Sequence, residues 1–296
     1  MKTAVFYYTQ CGQALNIAKS LCREMQGEVV FKQIIPLHDY PFPWDKDEFF
    51  DVFPETRLGI PLSGIEQLDF SDIEDADLVM VVGQSWFLSP SQPLQSFFVD
   101  QKVKDYLKGK HVVFVNACRN MWLMTSRKVK AYLKAAEANE VGHIVLQDKA
   151  PNLVSALTIV RWLMFGKQKG TKLLPDAGIS EKDISEASRF GSVIESAWKN
   201  NNLSRLQGEL LSIGAIQYKP SIMFMEKTGH RMFGFWAKFI RRKGEQGDVR
   251  RRFRTNLFFY YLLFVLFLIS PFGQLVFYLT YPLHRVGYHK DIDCNL

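Results

Sequence analysis

AVFYYTQCGQALNIAKSL, residues 4–21, is the stretch from which the rest of the chain is read. An apolar run from Ala4 to Tyr8 gives way to Thr9-Gln10-Cys11-Gly12, and apolar residues return at helical spacing at Leu15, Ala18 and Leu21. The pattern is a strand, a short polar turn and a helix. Gly12 permits a tight turn, and the backbone N–H groups behind it open a helix whose dipole favours an anion. Thr9 adds a hydroxyl. Many strand–helix turns contain a glycine and bind nothing, so the meaning of this loop depends on what else meets it.

The same alternation continues to about residue 150. The pattern predicts strands at Ala4–Thr9, Glu28–Ile35, Leu78–Gly83, His111–Asn116 and His143–Gln147, with helices at Ala14–Met25, Pro93–Leu107 and Met121–Asn139. The strands are rich in Val, Ile and Phe without strict alternation, as expected when both sheet faces are covered. Alternating β and α units imply an α/β, doubly wound sheet of five parallel strands, whose ligands sit beyond the strand carboxyl ends. Beyond residue 150 the pattern predicts an apolar helix at Leu153–Phe165 and a closing helix at Glu181–Lys199, capped by Ser180 with Asp183.

Two more strand ends carry polar and aromatic groups. The third ends Gly83-Gln84-Ser85-Trp86-Phe87-Leu88-Ser89-Pro90-Ser91, where two aromatics would either sandwich a planar ring or cover the sheet edge. The fourth ends Asn116-Ala117-Cys118-Arg119-Asn120-Met121-Trp122. Arg119 and the asparagines there would either bind a carbonyl or anion, or cap the following helix.

Together, YYTQCGQALNIA, VVGQSWFLSPSQPLQSFF and KHVVFVNACRNMW resemble the three flavin-contacting loops of the flavodoxin-like superfamily. The resemblance covers about residues 1–150, with the closing helix reaching about 200. It implies an FMN cofactor, held by Thr9, Gln10, Cys11, Gly12, Gln13 and Ala14 around the phosphate. Gln84, Ser85, Trp86, Phe87, Asn116, Ala117, Cys118, Arg119 and Asn120 would flank the ring. Cys11 and Ala14 depart from the family pattern, since hydroxyl residues usually stand there. The runs S-W-F-x-S-P-S and N-x-C-R-N-M-W are also similar to flavodoxin-like proteins known as dialkylresorcinol condensing enzymes. That likeness implies aromatisation of a dialkyl-cyclohexanedione made by a partner ketosynthase. NAD(P)H is a candidate reductant.

Between Pro36 and Pro61 lie five prolines and six aromatics, Tyr40, Phe42, Trp44, Phe49, Phe50 and Phe53, in what reads as a long functional or self-packed loop. His38 and Tyr40 within it are candidate proton-transfer residues beside Arg119, the candidate anion stabiliser. Cys118 reads as a small buried filler. Cys11, Cys22, Cys118 and Cys294 lack metal-ligand spacing, and free thiols in a reducing compartment are expected. No hydrolase, zinc-protease or P-loop motif occurs.

Charge is unevenly distributed. The net charge of +7 arises from a nearly neutral body, residues 1–204 at −1, and a basic remainder, residues 205–296 at +8. Thr255–Leu283 holds 29 residues without a charged side chain, against about 20 needed to cross a bilayer core as a helix. Ser270-Pro271-Phe272-Gly273 interrupts it, giving a kinked span or a re-entrant hairpin. Upstream stand Arg241, Arg242, Lys243, Arg250, Arg251, Arg252 and Arg254, a block that marks the cytoplasmic side. Met232, Phe233, Trp236, Phe239 and Ile240 fall near one face of an interfacial helix. The expected organisation is a flavodoxin-like domain at 1–202, a basic amphipathic region at 203–254, a transmembrane or re-entrant segment at 255–284 and a tail at 285–296. No signal peptide is read at the N-terminus, so the body is expected on the cytoplasmic side of the inner membrane. Membrane lipid is the expected partner, and nucleic acid is not. The competing readings are a quinone-type oxidoreductase, a flavodoxin-like electron carrier, and a flavin-free scaffold of a lipid-synthesis complex.

Overall fold

A computed structural model describes residues 1–270 and 272–281. Pro271, the end of the uncharged segment from Pro282, Cys294 and the 285–296 tail lie outside the described residues. The central sheet contains β1 (Lys2–Tyr7), β2 (Glu28–Gln33), β3 (Leu78–Trp86), β4 (Ser89–Pro90), β5 (His111–Cys118) and β6 (Asn139–Gln147). Its order is β2-β1-β3-β5-β6, all parallel, with β4 paired antiparallel to the end of β3. The five long strands follow the doubly wound order whose switch point lies between β1 and β3.

The sheet has six strands rather than five. After Trp86 the chain reverses through Phe87 and Leu88, both at positive φ (50° and 60°), so that Ser89 and Pro90 pair back onto Trp86 and Ser85. A two-residue hairpin of this kind usually uses Asn and Gly, and their absence hid it from the pattern.

Alternate strand residues feed the two faces, as the pleat requires. Val5, Met80, Val82, Val113 and Ile144 face α1 (Gln13–Cys22) and a group of later helices. These are α8 (Glu181–Glu186), α9 (Ser188–Lys199) and α10 (Leu206–Ser212). The Ser180 hydroxyl accepts from the Asp183 N–H at 3.1 Å and caps α8. Phe6, Val79, Val81, Val112 and Phe114 face α4 (Gln92–Val99), α5 (Gln101–Leu107) and α6 (Leu123–Ala135). The helix predicted at Pro93–Leu107 is broken at Asp100, whose extended backbone and carboxylate cap α5 through Val103 N.

The Pro/aromatic segment is not a bare loop. It holds α2 (Lys46–Asp51), capped by Asp45, and α3 (Phe53–Leu58), closed by left-handed Gly59. The apolar helix of the next region is α7 (Asn152–Phe165).

The chain from 203 to 254 packs onto this body. Leu206, Leu210 and Ala215 join the main core, and Val145 N donates to Ala215 O at 2.8 Å. Helix α11 (Pro220–Arg241) lies on α3 and α6, and α12 (Arg252–Phe264) on α2. Phe258 of α12 stacks on Phe53 at 4.0 Å and meets Phe233 and Trp236. Of the face drawn from Met232, Phe233, Trp236, Phe239 and Ile240, the residues Phe233, Trp236 and Ile240 are turned into protein, while Met232 and Phe239 stay exposed.

The arginine block is also not uniformly at the surface. Arg251 is 0% exposed and makes a bidentate pair with Glu55, at 2.8 and 2.9 Å, beside an ion pair with Asp51 at 2.8 Å. Arg241 and Arg250 pair with Glu245 and Asp248, and Arg254 lies over the Phe239 ring. Val249–Ile269 is one helix long and apolar enough to cross a membrane by length and composition, ending in a π-helical turn.

Candidate functional site

The carboxyl ends of β1, β3 and β5 meet at one cleft of about 160 Å³. Of the sequence candidates, Gln10, Cys11, Gln13, Ala14, Gln84, Ser85, Trp86, Phe87, Ala117, Cys118 and Arg119 line it. Thr9, Gly12, Asn116 and Asn120 sit in the same three turns but outside the lining.

Gly12 opens α1 at φ 86°, a left-handed conformation that favours glycine, and a Cβ there would meet nothing within 4 Å. No side chain caps α1, and no acidic residue stands in its first turn. The helix start is therefore open to an anion. The two glutamine side chains of the loop are committed elsewhere. Gln10 donates to Pro41 O at 2.8 Å and accepts from Trp44 Nε1 at 3.2 Å. Gln13 donates to Ile179 O at 2.9 Å and accepts from Ile179 N at 3.2 Å. Burial pushes the Cys11 thiol up, against the opposing pull of the Gln13 N–H, so it stays protonated at neutral pH. Binding an anion here falls to backbone donors.

The β3 and β5 ends are joined by Ser85 Oγ donating to Asn116 Oδ1 at 2.9 Å. Arg119 Nη1 donates to Asn152 O and Oδ1 at 2.9 and 2.8 Å, and Asn120 Nδ2 to the same Oδ1 at 2.8 Å. Burial lowers the Arg119 pKa and Asp148 opposes the shift; an arginine so placed remains a cation. Burial likewise pushes the Cys118 thiol up, which suits a filler rather than a nucleophile.

Trp86 and Phe87 belong to different clusters and do not face each other across the cleft. Trp86 takes edge contacts from Tyr40, Trp44 and Tyr8 at 5.2, 5.7 and 6.0 Å. Phe87 packs on Phe49 and Phe53 at 4.8 and 5.2 Å, reaching the α12 cluster. Tyr40 is half-buried against the Trp86 ring, and desolvation pushes its phenol up to about 12. His38 is exposed, 5.3 Å from the Tyr40 ring, and is not brought into the cleft.

Several lining residues were not singled out from the sequence as a site. Phe42, Trp44 and Phe49 come from the Pro/aromatic segment, and Ile159, Trp162 and Leu163 from α7. Gly178 and Ile179 complete the wall. Gly178, at φ 84°, lets Trp162 and Gln13 approach, since a Cβ there would lie 2.7 Å from the indole. The aromatic density of residues 40–53 was the available signal; nothing local identified α7.

Three buried polar atoms in the three turns have no hydrogen-bond partner: Thr9 Oγ1, Asn116 Nδ2 and Asn120 Oδ1. Buried polar groups are normally satisfied; these three belong to residues behind the cleft lining and mark the turns, not the cleft wall, as the place of unpaired polar atoms. An uncapped helix start and the Trp44, Trp86 and Trp162 rings lining one cleft fit a phosphorylated, ring-bearing cofactor such as FMN.

No protein-family profile matches this chain, and no curated protein does. Solved structures that align with it include a flavoprotein in complex with FMN from Lactobacillus acidophilus NCFM, at 16% identity and TM-score 0.38, over 49% of this chain and 92% of that one. A flavodoxin from the domain Archaea aligns at 12% identity and TM-score 0.39, over 67% of this chain and 99% of that one. A flavone reductase aligns at 14% identity and TM-score 0.38, over 68% of this chain and 64% of that one.

Proposed function

We propose that this chain is a membrane-associated FMN oxidoreductase acting on a lipophilic cyclic dione, in the aromatisation step of dialkylresorcinol-type lipid synthesis. The observation that carries the FMN reading is the convergence of three strand ends on one cleft at the switch point, with the uncapped start of α1 at its base. The backbone N–H groups after Gly12 would hold the phosphate, and Ser85, Asn116 and Ala117 would border the ring. When bound, FMN would supply two-electron chemistry.

The chain's own residues then have definable tasks. The Arg119 cation, fixed by Asn152, would orient a dione carbonyl and stabilise negative charge developing on its oxygen. Trp44 and Trp86, backed by Tyr8 and Tyr40, would exclude water from the rim and give alkyl substituents an apolar wall. The Tyr40 phenol, pushed up to about 12 by burial, stays protonated at neutral pH but lies outside the cleft lining, so its part is to back the Trp86 ring.

The tail supports a location at the cytoplasmic face of a membrane, with Val249–Ile269 as the candidate span and a ketosynthase of the same pathway as the supplier of substrate. The decisive experiment is a visible spectrum of the detergent-purified protein before and after added FMN and NAD(P)H. Anaerobic addition of a dialkyl-cyclohexanedione alone is expected to bleach the flavin bands and yield the resorcinol, the dione losing two electrons and two protons, whereas bleaching by NAD(P)H, itself a reductant, bears only on the quinone-type reading. No flavin absorbance after FMN addition would turn the reading to a flavin-free scaffold. Flavin that cycles with quinone but leaves the dione unchanged would make the chain a quinone-type oxidoreductase.

A further inference from the structure

Helix α7 has an unusual distribution of apolar surface. One side supplies Ile159, Trp162 and Leu163 to the cleft. The other side carries Leu157, Val160 and Phe165 into solvent, with Phe165 68% exposed. A helix of a soluble body normally turns polar residues outward, and one apolar all round is covered by protein or lipid. Within its fourteen residues the only charged side chain is Arg161, whose Nη1 is turned back to Lys169 O at 2.6 Å.

The flanks of α7 are cationic. Just past its left-handed Gly166 come Lys167, Lys169 and Lys172, followed by Leu173, which is 93% exposed. Lys169 is paired with Asp176 and Glu181, whereas Lys167 and Lys172 make no ion pair among the described residues. An apolar face bordered by free lysines matches an interfacial helix on an anionic lipid surface. The patch also runs toward the candidate span. Leu163 O accepts from Trp44 N at 2.7 Å, Lys46 donates to Asn256 at 3.0 Å, and Phe253, Leu257, Tyr260 and Phe264 of α12 are exposed.

We infer that α7 is a monotopic helix lying in the lipid headgroup boundary, so that the cleft opens to the bilayer beneath it and takes its substrate from the membrane. The inference rests on the proposed lipophilic substrate for its meaning, but the lipid contact itself is independent of flavin chemistry. One side of α7 is fixed to the body along its length, with Ser155, Ala156, Thr158 and Trp162 buried and Ser155 Oγ donating to Asp148 at 2.6 Å, which leaves Leu157, Val160 and Phe165 as the free face. The N-terminal end is tied to Arg119 and Asn120 through Asn152, and the C-terminal end to Trp44. The middle turn is the part that borders both cleft and solvent.

The test uses the full chain, with Cys294 and the half-buried Cys11 replaced by Ser and a nitroxide placed at Val160→Cys or, as a reference, Lys172→Cys. The protein is reconstituted in vesicles of phosphatidylethanolamine with phosphatidylglycerol, and collision with oxygen and with a water-soluble nickel chelate is measured by EPR. The expected result at position 160 is access to oxygen and shielding from nickel, with nickel access at 172. Nickel access at 160 equal to that at 172 would overturn the inference, since α7 then faces water. An immobilised label shielded from both would overturn it too, and would assign the face to a second copy or a protein partner. Flavin absorbance and pelleting of the same sample separate the two levels. A bound flavin and membrane pelleting with nickel access at 160 would sink only the α7 contact; loss of pelleting would sink both. A second variant, Val160→Glu with Phe165→Glu, should raise the apparent KM for a long-chain dione in vesicles at least tenfold while leaving a short-chain, water-soluble dione unaffected. Equal effects on both substrates would count against bilayer entry.

Discussion

Removing the Arg251 guanidinium would leave Glu55 buried without its partner. Breaking such a pair costs about 3–5 kcal/mol, whereas replacing both members with neutral groups costs much less. Arg251→Met should therefore lower the denaturant midpoint sharply in detergent, and Arg251→Met with Glu55→Gln should recover much of the loss. Glu226 offers a second test at this scale. It is buried on α11, and its carboxylate accepts from Leu123 N and Met124 N at 3.2 and 2.8 Å, supplying the cap α6 lacks. Burial raises its pKa from the ordinary 4.5 to about 7, against the pull of those N–H groups and Arg127. The folded form thus holds a proton that the unfolded form loses between pH 4.5 and 7, so this group's contribution is fullest below pH 4.5 and is lost as pH rises through 7. Thermal midpoints should fall over that window, and Glu226→Gln should flatten the fall; an unchanged slope would exonerate Glu226. Gly12→Ala places a side chain at positive φ, costing about 1–2 kcal/mol, and should weaken FMN retention on gel filtration. Position in the chain made Gln10 and Gln13 readable as loop residues. Their bonding could not be read, because Trp44 and Ile179 lie 34 and 166 residues away.

Elements announced by their own periodicity, such as β1, α1, β3 and β5, emerge within a few residues of the expected bounds. Those set by tertiary contact do not. The Phe87–Leu88 reversal carries no turn residues and is held by what its side chains bury: Phe87 against Phe49 and Phe53, Leu88 beside Trp122 and Met223. Helices α2 and α3 are each six residues long, too short for a periodic signal, and depend on packing against α12 and α11. Phe53 is the hinge of that packing. Phe53→Ala removes the ring stacked on Phe258 and should cost about 3–5 kcal/mol. Its more specific signature would be protease cleavage between α11 and α12, in the 242–251 connection, under conditions where the native chain stays intact.

At the scale of the molecule, the doubly wound order and the placement of three loops at one cleft were legible, because buried parallel strands leave apolar runs and their ends follow topology. The fate of the tail was legible only in composition. Charge and hydropathy separated residues 203–254 from the body, yet Leu206, Leu210, Met223 and Arg251 are buried in it. This moves the informative truncation. A cut at residue 255 removes Phe258 and damages the body, whereas ending the chain after Phe264 keeps that contact and, among the described residues, gives up only the buried Phe277, 5.8 Å from the Phe224 ring of α11. The shorter protein should lose most membrane pelleting and show a smaller fall in thermal midpoint than the cut at 255; undiminished pelleting would place the anchor in the body. The Arg251–Glu55 pair has one more consequence, in the order of manufacture. The two residues are separated by 196 positions, and at about 5–20 residues per second Glu55 waits about 10–40 seconds for its basic partner to leave the ribosome. Until then Glu55 must stay hydrated and α3 cannot settle. The ring cluster that joins Phe49 and Phe87 of the cleft to Phe53 and Phe258 is therefore settled only after residue 258 has been made.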